Sequence, residues 1–345
     1  MKSKSKILLI GRLTINNTPC AGEVVKNQLF LGRIRELFEN VTTINLTYLT
    51  RRIQKPFLYL KMLWILIKGV DTIIVSTYDE MAAEIIAFWR KFGKSNKLFY
   101  WVIGGGIANR LDKGELDVKI YKGLSHIIVE DTDIEKDLKN KGIERVSTVP
   151  NFKPVFSISA PKKKRTNRFV YMARITPLKG CDIILSAAHA LNRKGLTYSI
   201  DFYGFIENGY PFEEYVANVP NVSYKGIYSF KTKEDYEYLY NNYDALLFPT
   251  FYPNEGFPGT LIDGYMAGLP IVTTQWRYNS HFVEDTRSGW LVPIQDSDKL
   301  AALIEQILLG KYNLDEISNY NLRIVKKYDV NELLNKDFFS KLGIK

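Results

Sequence analysis

Cysteine and histidine are scarce in this chain of 345 residues, which holds two of the first, Cys20 and Cys181, and three of the second, His126, His189 and His281. Two cysteines so far apart, neither in a Cys-x-x-Cys or other metal-ligand spacing, exclude a disulfide framework and fit a reducing cytosol. So few histidines make a histidine-based zinc site a poor expectation, and no metal is expected. Long hydrophobic runs are also missing. The basic start, with Lys2, Lys4 and Lys6, leads into Ile7-Leu-Leu-Ile10, which stops at Gly11-Arg12 and is too short for the apolar region of a signal peptide. The longest apolar tract, residues 57–67, is interrupted by Lys61, whereas a membrane-spanning helix needs ~20 residues.

Acidic residues are in deficit, but only in the first half. The chain has 47 Lys and Arg against 37 Asp and Glu, a net charge of +10. Residues 1–165 carry 29 basic against 16 acidic side chains, and residues 166–345 carry 18 against 21. The whole positive excess thus belongs to the first half, as expected of a domain that faces an anionic partner.

What is present is alternation. Short apolar runs at 6–10, 41–46, 71–77, 97–103, 126–129 and 146–149 read as buried strands, and segments of helical period at 23–39, 55–68, 79–91 and 132–141 lie between them. Strand and helix repeated in this way imply a parallel sheet covered on both faces. Pro150-Asn151, Pro154 and the run Pro161-Lys-Lys-Lys-Arg165 then form a charged, apolar-poor break that reads as a linker. The alternation restarts with strands at 168–173, 198–203, 221–224, 245–249, 271–274 and 290–292, and helices at 180–193, 233–241, 260–267, 297–309 and 329–342. The expected fold is α/β, two Rossmann-like domains at 1–155 and 156–328, with the tail 329–345 packing back on the first. Ligands in such folds bind at the carboxyl ends of the strands, here in a central cleft that the two domains face.

Two segments carry chemistry. In Phe248-Pro-Thr-Phe-Tyr-Pro-Asn-Glu255-Gly-Phe-Pro-Gly-Thr260, a strand ends, a glycine-bearing loop follows, and a helix begins near Thr260. Gly256 and Gly259 let the backbone approach a ligand closely, and the helix start suits an anion such as a diphosphate. Glu255 and Asp263 would repel that anion, so they are better placed to accept hydrogen bonds from hydroxyls. A nucleotide sugar offers phosphates for the amides and hydroxyls for the carboxylates. In Tyr171-Met-Ala-Arg174-Ile-Thr-Pro-Leu-Lys179-Gly180, two cations sit at a strand end beside a helix start, where they can neutralise a diphosphate leaving group.

These segments resemble the retaining glycosyltransferases of family 4, or group 1, which have the GT-B fold. That family closes the first strand of its second domain with Arg, places Lys-Gly five residues on, and carries E-G-F-x-x-x-x-x-E before a small residue, Gly, x and Pro. Arg174, Lys179-Gly180, Glu255-Gly256-Phe257 and Met266-Ala-Gly-Leu-Pro270 match these positions, and Val149-Pro-Asn151 looks like the interdomain element. Tyr100-Trp-Val-Ile-Gly-Gly-Gly106 and Trp276-Arg-Tyr-Asn279 look like bacterial capsular or exopolysaccharide enzymes. The chain departs from the pattern in having Asp263 for the second Glu, and Gly104-Gly-Gly106 where many members hold a first-domain His.

The resemblance implies that Arg174 and Lys179 bind and stabilise the departing diphosphate. Glu255 would contact the transferred sugar and Asp263 the ribose, with Gly256 and Phe257 in the same loop. Amides of Gly259, Thr260 and Leu261 would seat the phosphate, Ile227 would pack on the base, and Gly22 would let the first domain approach the phosphates. Ser229, close after Ile227 where guanine-binding members hold an acid, favours a UDP-sugar. No cofactor or metal is implied, because the two cations do the electrostatic work. The acceptor would be a glycan, lipid-linked, at the cytoplasmic face of the cell membrane. The basic first half, with Lys2, Lys4, Lys6, Arg51, Arg52 and Lys55, would contact anionic lipid peripherally. A transferase that makes a soluble glycoside is one alternative. A basic non-catalytic protein that binds nucleic acid is another, disfavoured by the negative second half. The segment 55–68 is expected to be buried against the first sheet, the alternative being a helix that lies in a membrane interface.

Overall fold

The computed structural model describes residues 2–13, 22–48, 55–93, 97–158 and 165–344. Cys20, Arg51, Arg52 and the basic run 161–164 lie outside them. The chain divides into two compact units, Met1–Lys153 with Asp329–Lys345, and Pro154–Tyr328.

The first unit is built on six parallel strands, β1 (Ser3–Gly11), β2 (Phe38–Asn45), β3 (Thr72–Ser76), β4 (Lys97–Trp101), β5 (His126–Val129) and β6 (Val146–Thr148), in the order β2-β1-β3-β4-β5-β6. Ile7, Leu8, Leu9 and Ile10 are all buried although they point alternately to the two faces, because helices cover a parallel sheet on both sides. The helix Asp79–Phe92 shows why such a cover forms: Ala82, Ile85, Ile86 and Trp89 recur at helical spacing and are buried.

The chain's last residues join this unit. Phe339 packs edge-on to Phe38 with ring centroids 5.3 Å apart, and Arg33 Nε donates to Leu334 O at 2.9 Å. The single helix expected over 329–342 is instead two, Val330–Leu333 and Lys336–Lys341. Asn335 divides them, its side chain accepting the Phe338 N–H at 2.9 Å as a new N-cap.

The second unit repeats the architecture with β7 (Arg168–Met172), β8 (Ser199–Tyr203), β9 (Val222–Tyr224), β10 (Ala245–Phe248), β11 (Ile271–Thr274) and β12 (Gly289–Val292), all parallel, in the order β12-β11-β10-β7-β8-β9. The helix Leu314–Ile324 was not expected from the sequence, because two of its inward positions are polar. Ser318 and Asn321 are buried, and Asn321 Nδ2 donates to Leu269 O at 2.8 Å and to Ser288 O at 2.9 Å.

One expectation for the first unit holds on one face only. In the helix Lys55–Lys68, Leu58, Met62 and Ile65 are buried, but Phe57, Leu60, Leu63, Trp64 and Ile67 are exposed. Among the described residues, no helix is long and apolar enough to cross a membrane.

Candidate active site

In the second sheet β7 and β10 are neighbours, paired through Phe169 with Ala245 and Val170 with Leu246, and the strand order reverses between them. The loops that leave their carboxyl ends lie side by side at the topological switch point, where doubly wound sheets hold ligands. These two loops are the two chemistry-bearing segments of the sequence.

Gly180 fixes their approach. It sits at φ 82°, in the left-handed region, and a Cβ on it would fall 2.2 Å from Pro249 O. No other residue meets both demands. Next to it, the Phe251 N–H donates to Leu178 O at 2.9 Å and ties the β10 loop to the turn Pro177–Lys179.

Lys179 and Glu255 meet across this seam. Lys179 Nζ donates to Glu255 Oε2, and Thr250 Oγ1 donates to the same oxygen at 2.9 Å. Both side chains of the pair are largely buried, so the bond is sheltered from water. Thr250 is fully buried, and its carbonyl accepts from Thr274 Oγ1. The Lys179 ammonium lies 4.8 Å from the centroid of the Tyr252 ring and 5.2 Å from that of Phe248. Arg174 approaches the Tyr252 ring at 5.4 Å and the Glu207 carboxylate at 3.7 Å, with about half of its side chain exposed. Tyr252 therefore carries both cations at one strand edge.

The helix Gly259–Met266 begins beside them. Thr260 Oγ1 donates to Met172 O at 2.6 Å and pins the helix start to the end of β7. The first turn of a helix presents N–H groups outward. Of the three amides expected at an anion, that of Leu261 is committed within the turn, donating to Pro258 O at 3.0 Å. One turn on, Asp263 Oδ1 accepts the hydroxyl of Tyr236 at 2.8 Å. Burial, followed by the charge of Asp263, pushes the Tyr236 phenol well above its ordinary pKa, so it stays a donor.

Other expected residues take different places. The Phe257 ring stacks on Phe282 at 3.8 Å and 5° and is buried, so only its backbone can face a ligand, and Leu261 is core in the same way. Gly256 is buried between Glu255 and Phe257. Ile227 and Tyr228 are exposed after β9, following Gly226 at φ 83°. Gly22, in the first unit, opens the helix Gly22–Leu37, and a Cβ there would meet nothing within 4 Å. Cys181 lies behind the seam, and burial pushes its thiol up to about 12, which leaves it inert.

Sequence reasoning missed Thr250, Tyr252, Tyr236 and Glu207. Tyr252 and Thr250 carry a signal in hindsight, since both lie between the strand end and Glu255. Tyr236 and Glu207 carry none, because their elements reach the site only through the folded sheet.

The model of the family described as "Glycosyl transferases group 1" matches residues 153–323. The amylovoran biosynthesis glycosyltransferase AmsK of Erwinia amylovora is 27% identical over 150 residues, which cover 42% of this chain and 36% of that protein. The chain thus spans little more than a third of that curated relative. Among solved structures, HepE of Anabaena in complex with UDP and glucose superposes with a TM-score of 0.70 at 14% identity, over 98% of this chain and 99% of that one. Sucrose-phosphate synthase of Thermosynechococcus elongatus does so with a TM-score of 0.76 at 15% identity, over 98% and 100%. At such identities the likeness is one of fold, the GT-B arrangement of two parallel-sheet Rossmann-like domains.

Proposed function

Through its second unit the chain belongs to the group 1 glycosyl transferases, and on that footing we propose that it moves a sugar from a nucleotide-sugar donor to a glycan acceptor in polysaccharide synthesis, with retention of configuration. The observation that carries the reading is the Lys179–Glu255 pair at the switch point of the second sheet. A donor would exchange this bond for two others. The diphosphate takes the Lys179 ammonium, with Arg174 beside it on Tyr252, and the released Glu255 carboxylate accepts hydroxyls of the sugar. As the glycosidic C–O bond breaks, the leaving phosphate gains charge that the two cations offset. Its oxygen then takes the proton of the attacking acceptor hydroxyl on the same face of the ring, which gives retention. No divalent ion is required for this balance.

A uridine base fits better than guanine. The carboxylate of Asp235, eight residues after Ile227, already accepts the Tyr228 hydroxyl at 2.5 Å and the N–H groups of Lys231 and Thr232 at 2.7 and 2.8 Å. It has little capacity left for the N–H donors of guanine. AmsK is an amylovoran biosynthesis enzyme and HepE was solved with UDP, which supports a UDP-sugar and a glycan acceptor here. We take the acceptor to be lipid-linked and the protein to work peripherally at the inner face of the cell membrane. A donor panel scored by UDP release, with and without EDTA, tests the reading. Release from a uridine donor that survives EDTA supports it, and release from guanosine donors alone, or only with a divalent ion, contradicts it.

A further inference from the structure

The helix Lys55–Lys68 contains three lysines and no acidic residue. Leu58, Met62 and Ile65, spaced i, i+4, i+7, face the first unit's interior. Phe57, Leu60, Trp64 and Ile67, spaced i, i+3, i+7, i+10, share another face and are 71%, 62%, 54% and 84% exposed. A helix apolar on both faces is normally enclosed, and here only one face is. The patch continues onto the neighbouring helix, where the exposed Phe92 lines one hollow with Ile67 and Lys6. Lysines border it. The Lys68 ammonium sits 3.6 Å from the Trp64 ring centroid and that of Lys91 lies 5.3 Å from the Phe92 ring. Lys55 pairs with Glu84, whereas Lys61, Lys68 and Lys91 form no ion pair among the described residues.

We propose that this face lies flat on an anionic lipid surface, with Phe57, Leu60, Trp64 and Ile67 in the acyl boundary and the lysines among the headgroup phosphates. Aromatic and aliphatic side chains on one face, rimmed by unpaired ammonium groups, are the composition of an interfacial helix. A second copy of the chain is the poorer occupant. A helix of this length is ~20 Å long and ~10 Å wide, so two such faces bury on the order of 400 Å², below the ~1,000 Å² of a stable interface. Pairing them would also bring lysine against lysine. The inference rests on the lipid-linked acceptor reading only for why such a surface is useful, and its test needs no sugar transfer.

Trp64 supplies the probe. Trp89, Trp101 and Trp290 are buried and Trp276 is half-buried, so Trp64 is the tryptophan positioned to meet lipid. The full chain is mixed with vesicles of phosphatidylcholine and phosphatidylglycerol, with or without brominated acyl chains, and fluorescence and co-sedimentation are read. Brominated lipid should quench wild-type emission, and Trp64→Phe should bind but lose the quenching. Trp64→Ser with Ile67→Ser should weaken partitioning at least ~10-fold, since each removes several buried methylene equivalents. At about 1 M salt, where screening is nearly complete, the wild type should keep a residual affinity that the double variant lacks. Bound protein without quenching, binding abolished by salt alone, or a double variant that binds as wild type but dissociates a dimer in sedimentation would each overturn the proposal. UDP release without vesicles, which these variants should leave unchanged, reports separately on the transferase reading.

Discussion

Lys179 and Glu255, seventy-six residues apart, meet as a sheltered ion pair whose carboxylate oxygen also accepts the hydroxyl of Thr250. The two charges satisfy each other. Breaking a buried pair by deleting one partner leaves an uncompensated charge, at a cost of roughly 3–5 kcal/mol. The pair here is not wholly enclosed, so about half of that is expected.

Lys179→Ala and Glu255→Ala should each lose stability and also lower turnover ~10²–10³-fold, the usual loss when one electrostatic contact at a reacting centre is removed. The double variant should recover stability relative to either single variant and recover no activity. Urea denaturation beside UDP-release kinetics checks both halves. Normal turnover in either single variant would take that residue out of the site.

Asp263 accepts the hydroxyl of Tyr236. Asp263→Asn should raise the donor KM about tenfold, equivalent to ~1.4 kcal/mol of binding, and change kcat little, as when uniform binding is lost. A fall in kcat at saturating donor with unchanged KM would place Asp263 at the reacting centre instead.

Two glycines should respond in opposite ways. Gly180→Ala meets Pro249 O and a positive φ, so a loss of about 3 kcal/mol or more is expected, together with activity. Gly22→Ala, with a helical position and open space, should be neutral or stabilising by up to ~1 kcal/mol. Retained donor affinity in Gly22→Ala would remove the role expected for that glycine near the phosphates. Differential scanning calorimetry separates the two responses.

A pH effect belongs to the first unit. Burial pushes the Glu23 carboxyl up to about 7, against the pull of Thr77 and Arg12. A folded-state value above the unfolded one means that its favourable contribution is complete below pH 4.5 and is lost as pH rises through 7. Glu23→Gln should therefore match the wild type near pH 4 and exceed it by roughly 3.5 kcal/mol at pH 8, at ~1.4 kcal/mol per unit. Equal stability of the two proteins at pH 8 would contradict this.

The strands were legible because each is a short continuous apolar run between turn residues, as parallel strands covered on both faces must be. The site's motifs were legible because glycine and proline mark where backbone bends: Gly180, Pro249 and Gly256 locate the seam before any contact is known. Partners across the seam were not. Nothing in the 233–242 helix signals that Tyr236 reaches Asp263, since that contact is made by the folded sheet. Phe257 reads as part of a ligand loop, yet its ring is taken up by Phe282. Periodicity also cannot say which of two apolar faces is covered, so the exposed stripe of Lys55–Lys68 came only from the structure.

Real-time proton NMR of UDP-sugar hydrolysis in EDTA addresses the transferase reading most directly, because the first anomer released is visible before mutarotation. With UDP-glucose, UDP-galactose or UDP-N-acetylglucosamine, the wild type should release from at least one donor a sugar that first appears in the donor's α configuration. Lys179→Ala and Glu255→Ala should release little. Initial appearance of the β anomer, or hydrolysis indifferent to both substitutions, would contradict retention at the Lys179–Glu255 site.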